Sequence, residues 1–333
     1  MDSVGLIGLN VYMPEQVETA VEMAEKAGLP TEVVETKFGL RQKHRAAPDE
    51  HVSDMAVKAA RPLLGLVPSE EIDAVIYFGS PHKDYAVWLA APKIQHELGL
   101  AQAAAFEVSA VSAGCPVALN VARSLLLANP RMRNILLVGA SKESSLIDYS
   151  NVRSRFMFNF ADGAVAALLQ RGYPRNAVLE TAILSDGSFS EFVRVPAGGS
   201  KYPASAETVA EGMHSLDVSD PLAMKERLDP VSTERFLKVA REAAEMSGYQ
   251  HDQIRFVSML HTKRSIFSHV MAELGVPPER QVYLDDYGHM SAIDPLVGLH
   301  EAARRELLSP GDLVILLTAG TGYTWAATAL RWG

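Results

Sequence analysis

The sequence has a single cysteine among 333 residues. That excludes an intrachain disulfide and any cysteine-rich metal site. The formal net charge of −9 excludes the broad basic surface that nucleic-acid binding requires. The opening MDSVGLIGLNVYMPE lacks a basic leader followed by a long apolar run, so no signal peptide is expected. No apolar stretch is expected to reach the roughly 18 residues of a membrane span. A cytoplasmic, reducing setting is therefore expected. Two basic clusters, KFGLRQKHR at 37–45 and RMR at 131–133, suit either solvated surface or contact with phosphates or an acidic carrier protein.

What is present is a large apolar share, 48% of residues, in a chain long enough for two halves with a substantial core. Short apolar runs bounded by Gly, Ser or Pro occur at 5–13, 73–80, 103–115, 134–141 and 163–170. A second series follows at 178–186, 254–261, 280–291, 312–320 and 323–332. These runs read as buried strands. Helical spacing lies between them at 53–65 and 116–128, and again at 265–275 and 294–307. The pattern is a duplicated α/β fold with halves at 1–175 and 176–333, and the segment 196–212 reads as a surface excursion.

Chemistry in open α/β sheets collects beyond the carboxyl ends of strands. Cys115, His261 and His289 each end an expected strand there, and packing of the halves would bring them together. In SAVSAGCPVALNVARSLL, small residues lead to Cys115 and Pro116 opens a helix, which places Cys115 at the expected N-cap. Free backbone N–H groups and the helix dipole there favour a thiolate. A free cysteine is otherwise a small core residue; this setting points to a nucleophile. His261 and His289 suit hydrogen-bond donation to a carbonyl oxygen, with capping or packing as the alternative.

The motifs FGLRQKHRAAPDEHVSDMA, EVSAVSAGC, NILLVGAS, FADGAVAALL, YGHMSA and AGTGYTWAATALRWG together resemble the ketoacyl-acyl-carrier-protein synthase III group of the thiolase superfamily. The resemblance implies a five-layered αβαβα sandwich with pseudo-twofold halves, and a homodimer. It implies an acyltransferase in which an acyl thioester loads Cys115. Decarboxylative Claisen condensation with a malonyl thioester then gives a β-ketoacyl product. It further implies that His261 and His289 bind the thioester carbonyl, and that the backbone N–H groups of Cys115 and Thr321 form an oxyanion hole. Gly320 and Gly322 flank Thr321 in the glycine-rich loop, and Asp162-Gly163-Ala164 matches a structural turn. Substrates would ride on coenzyme A or acyl carrier protein, with no metal or redox cofactor.

The sequence departs from the group at several points. His289 stands where asparagine is usual, and a base there would suit a non-decarboxylating acyltransferase that passes the acyl group to an oxygen or nitrogen acceptor. After His261 comes TKRS, where Lys263 or Arg264 would bind a carboxylate at the acceptor site or simply face solvent. Val33 replaces a tryptophan that stacks on adenine, which leaves a carrier-protein donor open. Val87 and Trp88 lie where a partner subunit lines the acyl pocket. These departures point to a synthase of specialised metabolism.

Overall fold

A computed structural model describes residues 3–333. The principal strands are β1 (Val4–Tyr12), β2 (Ile72–Tyr77), β3 (Ala104–Glu107), β4 (Asn134–Lys142) and β5 (Asp162–Arg171). The second series is β6 (Ala177–Ser185), β7 (Ile254–Met259), β8 (Leu313–Gly320) and β9 (Thr324–Arg331). Runs such as NILLVGASK in β4 are apolar without alternation because both faces of the sheet are covered.

The sheet order is β7-β8-β9-β6-β1-β5-β4-β2-β3. One residue pair, Gly5 with Ala177, joins β1 to β6. Outward from that seam, β1-β5-β4-β2 on one side matches β6-β9-β8-β7 on the other. The β2–β4 and β7–β8 pairs are parallel, and the pairs nearer the seam are antiparallel.

Helices α1 (Val52–Ala60) and α2 (Ala90–Glu97) cover one half-sheet. The helices α3 (Gly114–Ala128) and α7 (Asp294–Arg304) fill the centre: Leu119 and Leu299 pack with Leu137 of one half-sheet and Leu316 of the other. Between them in sequence, α4 (Pro221–Arg227) covers the cavity described below. Helices α5 (Asp229–Met246) and α6 (Arg264–Glu273) cover the other half-sheet. The layers run α, β, α, β, α, as the sandwich expectation requires.

Two expectations need correction, and one helix lies outside them. The run at 280–291 is not a strand: Val282 and Leu284 point into the core in extended fashion, but Pro277 and Pro278 precede it and a turn ends it at Gly288, so no ladder forms. The long helix α5, with Phe236, Val239, Ala240 and Ala243 buried at helical spacing, was not anticipated. Val111–Ala128 is long and apolar enough to cross a membrane by composition; here it is the central-layer α3 and its approach.

Candidate active site

The N-termini of α3 and α7 meet in the central layer, each preceded by a short 3-10 turn, Val111–Ala113 and Ser291–Ile293. A Cβ on Gly114 would lie 3.0 Å from the Ala292 Cβ, so the contact needs glycine. Val111 and Ser291, each three residues before a helix, have φ of 48° and 55°. A β-branched residue such as Val111 resists that conformation. It is held by the Thr318 hydroxyl, which donates to the Ser112 carbonyl at 2.7 Å, and by the Ala113 N–H, which donates to Ala110 at 3.0 Å. The result turns the Ser112 side chain into a cavity of about 470 Å³.

Ser112, His289 and Asp294 form a hydrogen-bonded series. Ser112 Oγ lies 2.9 Å from His289 Nε2, and His289 Nδ1 lies 2.6 Å from Asp294 Oδ2. The carboxylate fixes the proton on Nδ1, which leaves Nε2 free to accept the serine proton. Asp294 is itself fixed, accepting the backbone N–H groups of His261 at 2.8 Å and Met290 at 2.7 Å. The backbone of His289 is clamped to the 159–161 segment: its N–H donates to Asn159, and its carbonyl accepts from Ala161, both at 2.8 Å. Gly288 (φ 76°) makes that approach possible, since a Cβ there would lie 2.6 Å from the Asn159 carbonyl oxygen.

Electrostatics separate the two histidines. Burial disfavours charge on His289, but the Asp294 carboxylate and its hydrogen bond, with Glu143 beyond, outweigh it and raise its pKa. Burial dominates at His261 and lowers its pKa to about 4, so that ring is neutral. Asn159 Nδ2 lies 2.8 Å from His261 Nδ1, and His261 Nε2 lies 3.2 Å from the Gly39 carbonyl.

Cys115 is not where the sequence reading put it. Helix α3 begins at Gly114 with Ala113 as N-cap, so Cys115 already lies in the first turn. Pro116 does not stop this, because first-turn N–H groups have no intrahelical acceptor to lose. The thiol is wholly buried in the central core and lines no part of the cavity. Burial, and then the Asp294 charge, push its pKa far above the ordinary thiol range, the reverse of activation. His261, His289 and Thr321 do line the cavity. Gly320 abuts the Ser112 turn, where a Cβ would lie 2.5 Å from the Ala110 oxygen and 2.8 Å from the Ala113 nitrogen. Gly322 lies in the same loop, at φ 124°.

Other expected residues fall elsewhere. Arg264 turns away to pair with Asp285 at 3.1 Å and to stack over Tyr283; Lys263 faces the cavity instead. Val87 is fully exposed and Trp88 packs on the outer helical layer, so neither lines the cavity of its own chain. A second cavity of about 440 Å³ shares Phe156, Asn159 and Lys263 with the first and adds Lys37 and Arg155. Ser112, Asp294 and Asn159 escaped the sequence reading. The available signal was His289 followed five residues later by an Asp-Pro helix start. Among the described residues, no group of three or more His, Cys, Asp or Glu is arranged to hold a metal ion.

Two family profiles, described as 3-oxoacyl-[acyl-carrier-protein] synthase III and its C-terminal part, match residues 106–187 and 244–332. A beta-ketoacyl-[acyl-carrier-protein] synthase III of Symbiobacterium thermophilum is 31% identical over 99% of this chain and 98% of its own. The chain belongs to the 3-oxoacyl-[acyl-carrier-protein] synthase III family. It is a condensing enzyme of the acyltransferase class.

Solved synthases III share the fold of this synthase. FabH of Pseudomonas aeruginosa superposes with a TM-score of 0.86 at 25% identity, covering 99% of this chain and 98% of that one. The Thermus thermophilus enzyme gives 0.84 at 27%, covering 99% of each. The priming ketosynthase of the R1128 polyketide pathway, at 24% identity, shares the fold with a TM-score of 0.86 over 99% of this chain and 96% of its own.

Proposed function

We propose that this synthase carries its acyl group on the Ser112 oxygen, with His289 as general base and Asp294 orienting it. The observation that supports this most is the Ser112–His289–Asp294 series at the cavity wall, beside a thiol sealed in the core. His289 accepts the hydroxyl proton as Oγ attacks the acyl thioester, then gives that proton to the departing thiol. The backbone N–H of Ser112, with that of Thr321, takes the oxyanion role first expected of Cys115.

In the second step a malonyl thioester loses carbon dioxide, and its carbanion attacks the acyl-serine ester. Ser112 leaves as the alkoxide and takes a proton that His289 has drawn from solvent onto Nε2 after the first step, so the whole reaction consumes one proton. His261, held neutral, donates to the thioester oxygen as negative charge develops there. Lys37, Arg155 and Lys263 around the outer cavity suit the phosphates of coenzyme A or of a carrier-protein arm. We read the enzyme as a cytoplasmic homodimer of specialised metabolism, with pseudo-twofold halves 1–175 and 176–333 and with Val87 and Trp88 facing the partner.

A second reading, acyl transfer to an oxygen or nitrogen acceptor without decarboxylation, draws on one observation: the Asp294-backed imidazole is also equipped to deprotonate such an acceptor. The deciding experiment incubates the protein with acyl and malonyl thioesters and follows carbon dioxide and product mass. Condensation predicts carbon dioxide release that falls sharply in His261→Ala. Unchanged release in that variant removes His261 from the second step, and a product retaining all malonyl carbons favours the second reading.

A further inference from the structure

Asn159 joins the two histidines. Its backbone carbonyl accepts from His289, and its side chain meets His261. It lines both cavities and is buried except for 7% of its surface. Its Oδ1 has no hydrogen-bond partner. Burial of an unpaired amide oxygen is costly, so its orientation needs a cause.

The ring of His261 supplies one. With Asn159 Nδ2 donating to His261 Nδ1, the ring proton must sit on Nε2, which donates to the Gly39 carbonyl at 3.2 Å. Turning the amide over would present Oδ1 to Nδ1–H and leave a bare Nε2 against the Gly39 oxygen. Two acceptors would then face each other, and both amide N–H groups would be orphaned in place of one oxygen and one N–H. A doubly protonated ring would accept the turned amide, but burial opposes that charge.

We infer that Asn159 is a positioning residue that, together with the Gly39 carbonyl, fixes His261 as the Nε2–H tautomer, a donor aimed at the substrate carbonyl, and that holds this tautomer alone once Gly39 is displaced. The weak partner at Gly39 is exchanged for the thioester oxygen when substrate binds. The assignment of the donor's target rests on the reading of His261 given above; the tautomer itself does not.

The test uses the full-length protein labelled with 15N-histidine, with His261 signals identified by their loss in His261→Gln. Nitrogen shifts of a pyridine-type Nδ1 and a pyrrole-type Nε2 are expected. In Asn159→Leu the two shifts should move toward each other as the tautomers mix. In the isosteric Asn159→Asp, Nδ1 should become protonated. The His289 signals, governed by Asp294, report whether each variant remains folded.

Malonyl decarboxylation should fall about tenfold more than Ser112 acylation in Asn159→Leu. Its pH profile in Asn159→Asp should gain an ionisation near neutrality, with Asp294, His289, Arg264 and Tyr283 as the other titratable groups facing the ring. A wild-type His261 protonated on Nδ1, or shifts unchanged in Asn159→Leu, would overturn the inference. Loss of activity in His261→Gln with the tautomer as stated upholds both readings. Full activity there with the same tautomer removes only the catalytic reading.

Discussion

Exchanging the two candidate nucleophiles gives the sharpest prediction. Cys115→Ala removes one sulfur from a fully buried site and touches no cavity atom. The loss of packing is worth about 1 kcal/mol, from roughly one heavy atom's transfer and cavity cost. In a chain of 333 residues that lowers Tm by about 2 °C. Acylation should stay within about twofold of the parent, since no group in the series is disturbed. Ser112→Ala removes one hydrogen bond, about 1 kcal/mol of stability, yet should reduce acylation about 10³-fold or more.

Intact-protein mass spectrometry after incubation with an acyl thioester reads both variants. The adduct on the parent should resist neutral hydroxylamine, as an oxyester does and a thioester does not. Iodoacetamide should leave the folded parent active, because the thiol is inaccessible and held protonated. Ser112→Cys should become sensitive to it. An adduct that survives Ser112→Ala and disappears in Cys115→Ala would refute the reasoning, as would rapid inactivation of the parent by iodoacetamide.

Asp294→Asn should reduce acylation by about 10⁴ while thioester binding is retained, measured by single-turnover loading. Acylation needs neutral His289, whose pKa is raised, so loading should climb with pH through a midpoint above the ordinary histidine value and weaken on the acid side. Gly320→Ala should cost about 1–3 kcal/mol and abolish loading, because its Cβ meets backbone atoms of the Ser112 turn; denaturant titration and acyl-adduct formation check this. Met224→Trp, on the cavity wall formed by α4, should shorten the longest acyl chain accepted, as read from a thioester series.

Much was legible in the chain because the fold repeats a simple instruction. Apolar runs buried on both faces mark strands without reference to their neighbours, and the recurrence of their order set out the two halves. His261 and His289 were also legible, since each follows an apolar run and precedes a helix. Helix α5 was harder: its buried face is half alanine, which gives weak contrast against a charged background.

The sequence by itself determined the architecture and the two imidazoles, because burial and periodicity act locally along the chain. It pointed to Cys115 and did not show that Ser112 is the residue facing the cavity. They lie three residues apart among Ala, Gly and Pro, and small residues carry no amphipathic phase to show which side faces the core. That choice falls to the left-handed Val111, to Thr318 and Gly320 from a strand some two hundred residues later, and to Asp294 at the facing helix. These contacts turn a hydroxyl outward and seal a thiol inward. Because they couple distant segments in space, only the tertiary structure decides them.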